Sequence, residues 1–272
     1  MKKIILSLIV LCIVSTVIAQ NTRSLKKVIE LQMPKTAEDE LCGKRGAGVC
    51  WNPVTQKYYA SFAGNAGFPL AVFDFKGKRL TADTVTTQID TRGLWYNPKT
   101  KKISGNAYSD YGWFSYKLNA KGFPAAVDII LSGENQPEEN SVGTYIPLKD
   151  KVAFLNGPNV SLYDVKDGSI SESVIIHWGH TKADGEEEDE FMELPEGYNY
   201  TSLVYSGTKG AELGFLNVDA NVIELYDISS GFLTKKLELP LMTVSEESFN
   251  FAYTNGIYWL FNISDRKWEG YK

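Results

Sequence analysis

Self-similarity restricts the fold of this chain more than any other feature. The stretch GVCWNPVTQKY beginning at Gly48 matches GLWYNPKTKKI beginning at Gly93, at an offset of 45 residues. Looser copies are GTYIPLKDKV from Gly143, TSLVYSG from Thr201 and FNFAYTNG from Phe249. Each copy leads into a short apolar strand that closes on an asparagine: Asn65, Asn106, Asn156, Asn217 and Asn262. Four copies then continue into alternating apolar residues that end in a glycine turn, at Gly77, Gly122, Gly168 and Gly231. Period-two alternation bounded by Asp, Lys, Ser and Gly is a hairpin signal. A fourth strand follows, as in AVDIIL from Ala126 and KLEL from Lys236. No segment carries sustained helical periodicity.

Four short strands per module of about 45 to 60 residues describe a β-propeller blade. The sequence resembles the propeller superfamily. Its aromatic-Asp-apolar-x-x-Gly hairpin looks like the third-to-fourth strand turn of many bacterial and quinoprotein-like propellers. That resemblance covers nearly the whole chain after its first residues and implies an architecture, without matching one family of known activity. The expected fold is an all-β, five-bladed propeller in a single domain over residues 20–272. Its modules lie near 48–92, 93–142, 143–200, 201–248 and 249–272. The last module stops one strand short, and LKKVIELQMP over residues 25–34 is similar to TKKLELPLM over 234–242. The N-terminal strand is therefore expected to complete the last blade and close the ring, which removes an exposed sheet edge.

The first residues carry an address. Lys2 and Lys3 precede an apolar run from Ile4 to Ile18, and Ala19 stands before a polar stretch. This is the pattern of a secretory signal peptide over residues 1–19, and it is short for a membrane span. The protein is expected to be secreted or periplasmic, a monomer, with no transmembrane segment after cleavage. Two cysteines then remain, Cys42 and Cys50, and in an oxidising compartment so close a pair reads as a disulfide.

Composition narrows the partners. Asp plus Glu exceeds Lys plus Arg, 33 against 28, for a net charge of −5. That balance argues against nucleic acid, whose readers need a cation excess. Two histidines in the whole chain exclude a site built on several imidazoles. No phosphate-cradling loop, nucleophile elbow or metalloprotease helix is visible.

The asparagine ring is the first candidate ligand site. Neutral donors and acceptors at one mouth of a central channel would suit a glycan, a peptide or a hydrated cation. The competing reading is that each asparagine caps its own turn. Arg92 and Tyr198 join as loop candidates. Trp51, Tyr96, Tyr145, Tyr205 and Tyr253 recur at matching places in the first strands, where aromatics either stack on a sugar or fill the wedges between blades. Trp95 and Trp113 fall outside the pattern and suggest a surface platform. One irregular insertion contains His177 and His180 followed by an acidic run. His177, His180, Asp184 and Glu186 make a candidate site for calcium or another divalent metal, set against the plainer reading of a solvated acidic loop. No cofactor is required by any of this.

The inner strands hold no Asp or Glu. Glycoside hydrolysis or lysis would therefore draw on loop carboxylates: Asp90, Glu138, Glu139, Glu196, Glu246 or Glu247. Three readings follow: a binding module for a glycan, peptide or envelope protein; a polysaccharide hydrolase or lyase; and a structural scaffold. The pattern favours binding.

Overall fold

The computed structural model describes residues 22–35, 45–182 and 193–272. Among these residues, twenty strands form five sheets. The first blade contains β3 (Gly46–Asn52), β4 (Lys57–Phe62) and β5 (Leu70–Asp74). The second contains β6 (Thr91–Asn97), β7 (Lys102–Ala107), β8 (Trp113–Leu118) and β9 (Pro124–Leu131). The third contains β10 (Thr144–Ile146), β11 (Lys151–Asn156), β12 (Asn159–Asp164) and β13 (Ile170–Ile175). The fourth contains β14 (Val204–Tyr205), β15 (Leu213–Asn217), β16 (Val222–Tyr226) and β17 (Leu233–Glu238). The fifth contains β18 (Phe251–Thr254), β19 (Ile257–Asn262) and β20 (Lys267–Tyr271), with β2 (Lys27–Gln32) as its outer strand. The innermost strands β3, β6, β10, β14 and β18 neighbour one another in that order, and β18 returns to β3. This is a five-bladed β-propeller.

Ring closure follows the expected route. Strand β2 lies antiparallel to β20, with Lys27 opposite Tyr271 and Leu31 opposite Trp268. A shorter strand, β1 (Thr22–Ser24), adds in parallel to the outer strand of the fourth blade, Thr22 beside Lys236. The N-terminal segment thus bridges two blades, which the sequence pattern did not announce. The outer position of the first blade is irregular: Leu80 N–H bonds Val72 O and Leu70 N–H bonds Val85 O without forming a continuous strand.

Turn chemistry explains the repeats. Asn52 Oδ1 accepts from the N–H groups of Val54 and Thr55, and Asn97 Oδ1 does the same for Lys99 and Thr100. The recurring Asn-Pro-x-Thr is therefore a side-chain-capped turn between the first two strands. Asp74, Asp164 and Asp227 cap the third-to-fourth strand turn in the same manner, each accepting from the N–H two residues on. The glycine that opens the second and third copies has a different cause. A Cβ on Gly93 would lie 2.7 Å from Gly143 O, and one on Gly143 would lie 2.9 Å from the side chains of Phe154 and Val152. Inner strands converge on the axis there and leave no room for a side chain.

The core is divided into five wedges, each with its own apolar cluster shared by two adjacent blades. The wedge between fifth and first blades seals the ring with Leu31, Trp259, Phe261 and Trp268. Phe62 meets Phe261 edge to face at 5.2 Å across it. Each such large side chain, fully buried, contributes about 1.5–3 kcal/mol. A sixth, small cluster of Ala47, Ala63, Val142 and Phe249 plugs the axis where the inner strands begin.

Some expectations meet the structure here. Trp95 and Trp113 are buried, at right angles 6.1 Å apart in the wedge between second and third blades, and form no surface platform. Cys50 is a free thiol, fully enclosed in the wedge between first and second blades, and burial pushes its pKa up. Cys42, its expected disulfide partner, lies outside the described residues, as does the predicted signal segment 1–19. Among the described residues no helix is long and apolar enough to cross a membrane.

Candidate functional site

The inner strands end at the opposite face from the plug, and there the axis opens into a cavity of about 260 Å³. All five blades line it. Val49, Trp51 and Pro53 come from the first, Leu94, Tyr96 and Pro98 from the second, Thr144, Tyr145 and Pro147 from the third. Tyr205 comes from the fourth, and Tyr253 and Thr254 from the fifth. The five repeated aromatics, Trp51, Tyr96, Tyr145, Tyr205 and Tyr253, are thus all at this mouth. Side chains alternate along a strand, so each of these rings also enters one wedge, and no two enter the same one. The wedge-filling and mouth-lining readings hold together: one part of each ring packs between blades and another borders the cavity.

Neighbouring contacts hold the rings in place. Trp51 packs on Tyr58 with centroids 4.5 Å apart, and Tyr253 on Tyr258 at 4.6 Å. Trp51 N–H bonds Thr254 Oγ1 at 3.0 Å, tying first and fifth blades together at the mouth. Tyr145 donates its hydroxyl to Asp150 Oδ1 at 2.6 Å. Burial, then the carboxylate beside it, pushes that phenol's pKa up. Tyr205 and Tyr253 are pushed up as well, by burial first. Tyr145, Tyr205 and Tyr253 therefore stay neutral donors at ordinary pH. Among the described residues no protein hydrogen bond engages the hydroxyls of Tyr96, Tyr205 and Tyr253. Among the described residues the cavity lining contains no carboxylate, imidazole or amine. Such a mouth can stack on a flat apolar face and hydrogen-bond hydroxyls.

The asparagines are distributed differently. Asn65, Asn217 and Asn262 accept through Oδ1 from the N–H groups of Gly67, Ala220 and Asp265, each capping its own turn. Asn156 donates to Ser161 Oγ at 2.9 Å. Only Asn106 reaches the axis. It is fully buried, donates to Gln136 Oε1 and Ser141 O, and accepts from Gly143 N–H at 3.0 Å, so it fastens the second blade to the third. Arg92 is buried beside it at the plugged end, ion-paired with Asp90 and bonded to Asn140, with its guanidinium 4.6 Å from the Tyr108 ring centre. Tyr198 is enclosed in the wedge between third and fourth blades, its hydroxyl 2.7 Å from Glu224 Oε2. None of these seven residues lines the aromatic cavity.

The histidines lie at the seam of the same two blades. His177 stacks on Phe232 with centroids 4.0 Å apart, and its N–H bonds Gly231 O. Leu233 N–H bonds His180 O, and Trp178 Nε1 bonds Pro158 O. Asp184 and Glu186 lie outside the described residues. Among the described residues no three His, Cys, Asp or Glu side chains converge as a metal site.

The sequence reading missed Glu224. It is almost fully buried in β16, where Oε2 accepts from Tyr198 and Tyr226 and Oε1 pairs with Lys236 at 2.9 Å. The signal was available: the third-strand patterns of the first and third blades put Ala71 and Ser161 at that place.

No protein-family model matches the chain, and no curated protein matches its sequence. Among solved structures the fold is similar to that of glutaminyl cyclase from Myxococcus xanthus, with a TM-score of 0.54 and 9% identity, over 93% of this chain and 97% of that one. A nidogen/laminin complex chain is matched at a TM-score of 0.41 and 9% identity, over 71% of this chain and 63% of that one. At such identity the first similarity concerns the propeller alone, and function has to be argued from the site.

Proposed function

We propose that the protein is a saccharide-binding propeller acting outside the cytoplasm, with its ligand seated in the aromatic mouth where the inner strands end. One observation carries this reading: every blade contributes one partly packed aromatic ring to a single cavity. Aromatic faces stack on the C–H faces of sugars, and three tyrosine hydroxyls without partners among the described residues suit sugar hydroxyls. The volume, about 260 Å³, lies just under the usual range for small-molecule sites, roughly 300–1,000 Å³. It suits one ring-sized group, such as the end of a glycan chain. The positive start and apolar run of residues 1–19 support the extracytoplasmic address.

Binding is favoured over turnover. Cyclisation of a glutaminyl residue, like hydrolysis of a glycoside, needs a positioned proton donor or acceptor, and among the described residues the cavity lining holds no carboxylate, imidazole or amine for that role. The loop carboxylates Asp90, Glu138, Glu139, Glu196, Glu246 and Glu247 lead into the inner strands at the plugged end instead.

A thermal-shift screen against neutral and acidic oligosaccharides tests the reading. A ligand at 100 times its Kd adds about 2.7 kcal/mol, on the order of 5 to 10 °C for a domain this size. At least one saccharide is expected to give such a shift, and the double variant Tyr96→Ala, Tyr253→Ala is expected to abolish it while still folding. A flat response to all saccharides, or cyclisation of a glutaminyl peptide by the protein, would overturn the reading.

A further inference from the structure

We infer that the saccharide taken by this mouth is a polyanion, bearing carboxylates or sulfates. The inference rests on the mouth being a saccharide site and adds the charge of its ligand. The chain is acidic as a whole, at −5, yet three of the turns beside the cavity hold more cations than anions. The turns between first and second strands surround the aromatic cavity. Those over residues 97–102, 146–151 and 205–212 hold Lys99, Lys101, Lys102, Lys149, Lys151 and Lys209 against only Asp150 and Glu212. The cavity-lining Pro98, Pro147 and Tyr205 belong to the same three turns, so these lysines lie in the segments that border the opening. At the other face, the loops entering the inner strands carry the six carboxylates named above, with Arg45 and Arg92 as their nearby cations.

Part of the lysine charge is neutralised within the protein. Lys99 pairs with Asp150 at 2.7 Å, and Lys149 and Lys151 share Glu172. Lys101, Lys102 and Lys209 are exposed and belong to no ion pair among the described residues. Three unneutralised cations therefore stand in two of the turns that border an aromatic floor with no formal charge. A neutral glycan would make no use of them. A chain with an anionic group on successive sugars would stack one ring in the cavity and run its charges over the rim. The acidic far face repels the same chain, so the field of the whole molecule directs it to the aromatic side.

The experiment is a tryptophan-fluorescence titration of the full chain, since Trp51 and Trp95 both border the cavity. Three probes are used: sodium polygalacturonate, heparin, and fully methyl-esterified polygalacturonate, which keeps the sugar and loses the charge. At about 20 mM NaCl at least one polyanion is expected to bind ten-fold or more tightly than the ester. The preference should fall below about three-fold near 500 mM NaCl, where surface charges are screened. The carboxylate and sulfate probes separate the two anion chemistries. The triple variant Lys101→Gln, Lys102→Gln, Lys209→Gln should lose about ten-fold for the polyanion and nothing for the ester. Equal affinity for ester and polyanions, or full affinity in the lysine variant, overturns the charge inference and leaves the saccharide site standing. Polyanion binding that survives Tyr96→Ala, Tyr253→Ala overturns the aromatic site itself. No binding to any of the three probes overturns the polyanion inference, and the broader neutral-sugar screen then decides the site.

Discussion

Tyr145 donates its hydroxyl to Asp150 Oδ1 at 2.6 Å, while Lys99 from the neighbouring blade reaches Oδ2 of the same carboxylate at 2.7 Å. One aromatic of the mouth is thereby tied to the rim and to the adjacent blade. Lys99 first, then Tyr145, holds the Asp150 carboxyl below its usual pKa. A depressed folded-state pKa stabilises the protein above the unfolded value, and that contribution is lost as pH falls through the folded one. Asp150→Asn is expected to cost about 1 kcal/mol near pH 7, since the pair is partly exposed and solvent screens it. Thermal unfolding of both proteins between pH 7 and pH 2 checks this. The gap should be constant down to about pH 4 and close below it. A gap that persists at pH 2 would show that the carboxylate charge is not what the site uses.

Glu224 presents a sharper case. Its carboxylate is buried and accepts from two tyrosine hydroxyls while pairing with Lys236. Glu224→Ala strands both hydroxyls in an apolar wedge and removes the partner of the lysine. Breaking a buried ion pair from one side costs about 3–5 kcal/mol. For a domain of this size that is roughly 6 to 20 °C in Tm. Glu224→Gln retains hydrogen-bonding capacity and is expected to cost less than half as much. Equal losses in the two variants would mean that the charge, rather than the hydrogen bonds, holds the wedge.

The propeller was legible because its turn chemistry repeats: Asn52 and Asn97, then Asp74, Asp164 and Asp227, cap equivalent turns with equivalent bonds. The same regularity hid the site. Asparagines that recur after the second strand looked like a ring of ligand groups, yet regular spacing along the chain is what turn capping produces, and only Asn106 approaches the axis. The aromatics were visible as a repeated set, but their choice between wedge and mouth depends on which way each inner strand ends. That is set by the packing of five blades around one axis and by no local pattern. Glu224 was the opposite kind of signal, a single departure from the repeat whose partners Tyr198 and Lys236 lie in other strands or loops.

The two kinds of asparagine separate in stability. Asn106→Ala leaves Gly143 N–H, Gln136 Oε1 and Ser141 O without their buried partner. With about 1–3 kcal/mol for each unsatisfied buried group and partial relaxation around the gap, a loss near 3 kcal/mol is expected. Asn217→Ala removes one exposed turn bond, to Ala220 N–H, and should cost about 0.5–1 kcal/mol. Urea unfolding of the two variants measures both. Similar losses would contradict the buried role assigned to Asn106.

Cys50 offers a direct check on the wedge between first and second blades. Its thiol is fully buried among Tyr59, Leu94, Ile103 and their neighbours, and burial keeps it protonated. Thiolate is the reactive form, so both access and protonation protect this residue in the folded protein. Labelling with iodoacetamide at pH 8, read by mass spectrometry of the peptide containing Cys50, should give almost no modification in the native state and full modification in guanidinium without reductant. Rapid native labelling would show that the wedge opens on the timescale of the reaction. Resistance in guanidinium, relieved only by a reductant, would show that Cys50 is held in a disulfide with Cys42 after all. The free thiol in the structure predicts neither outcome.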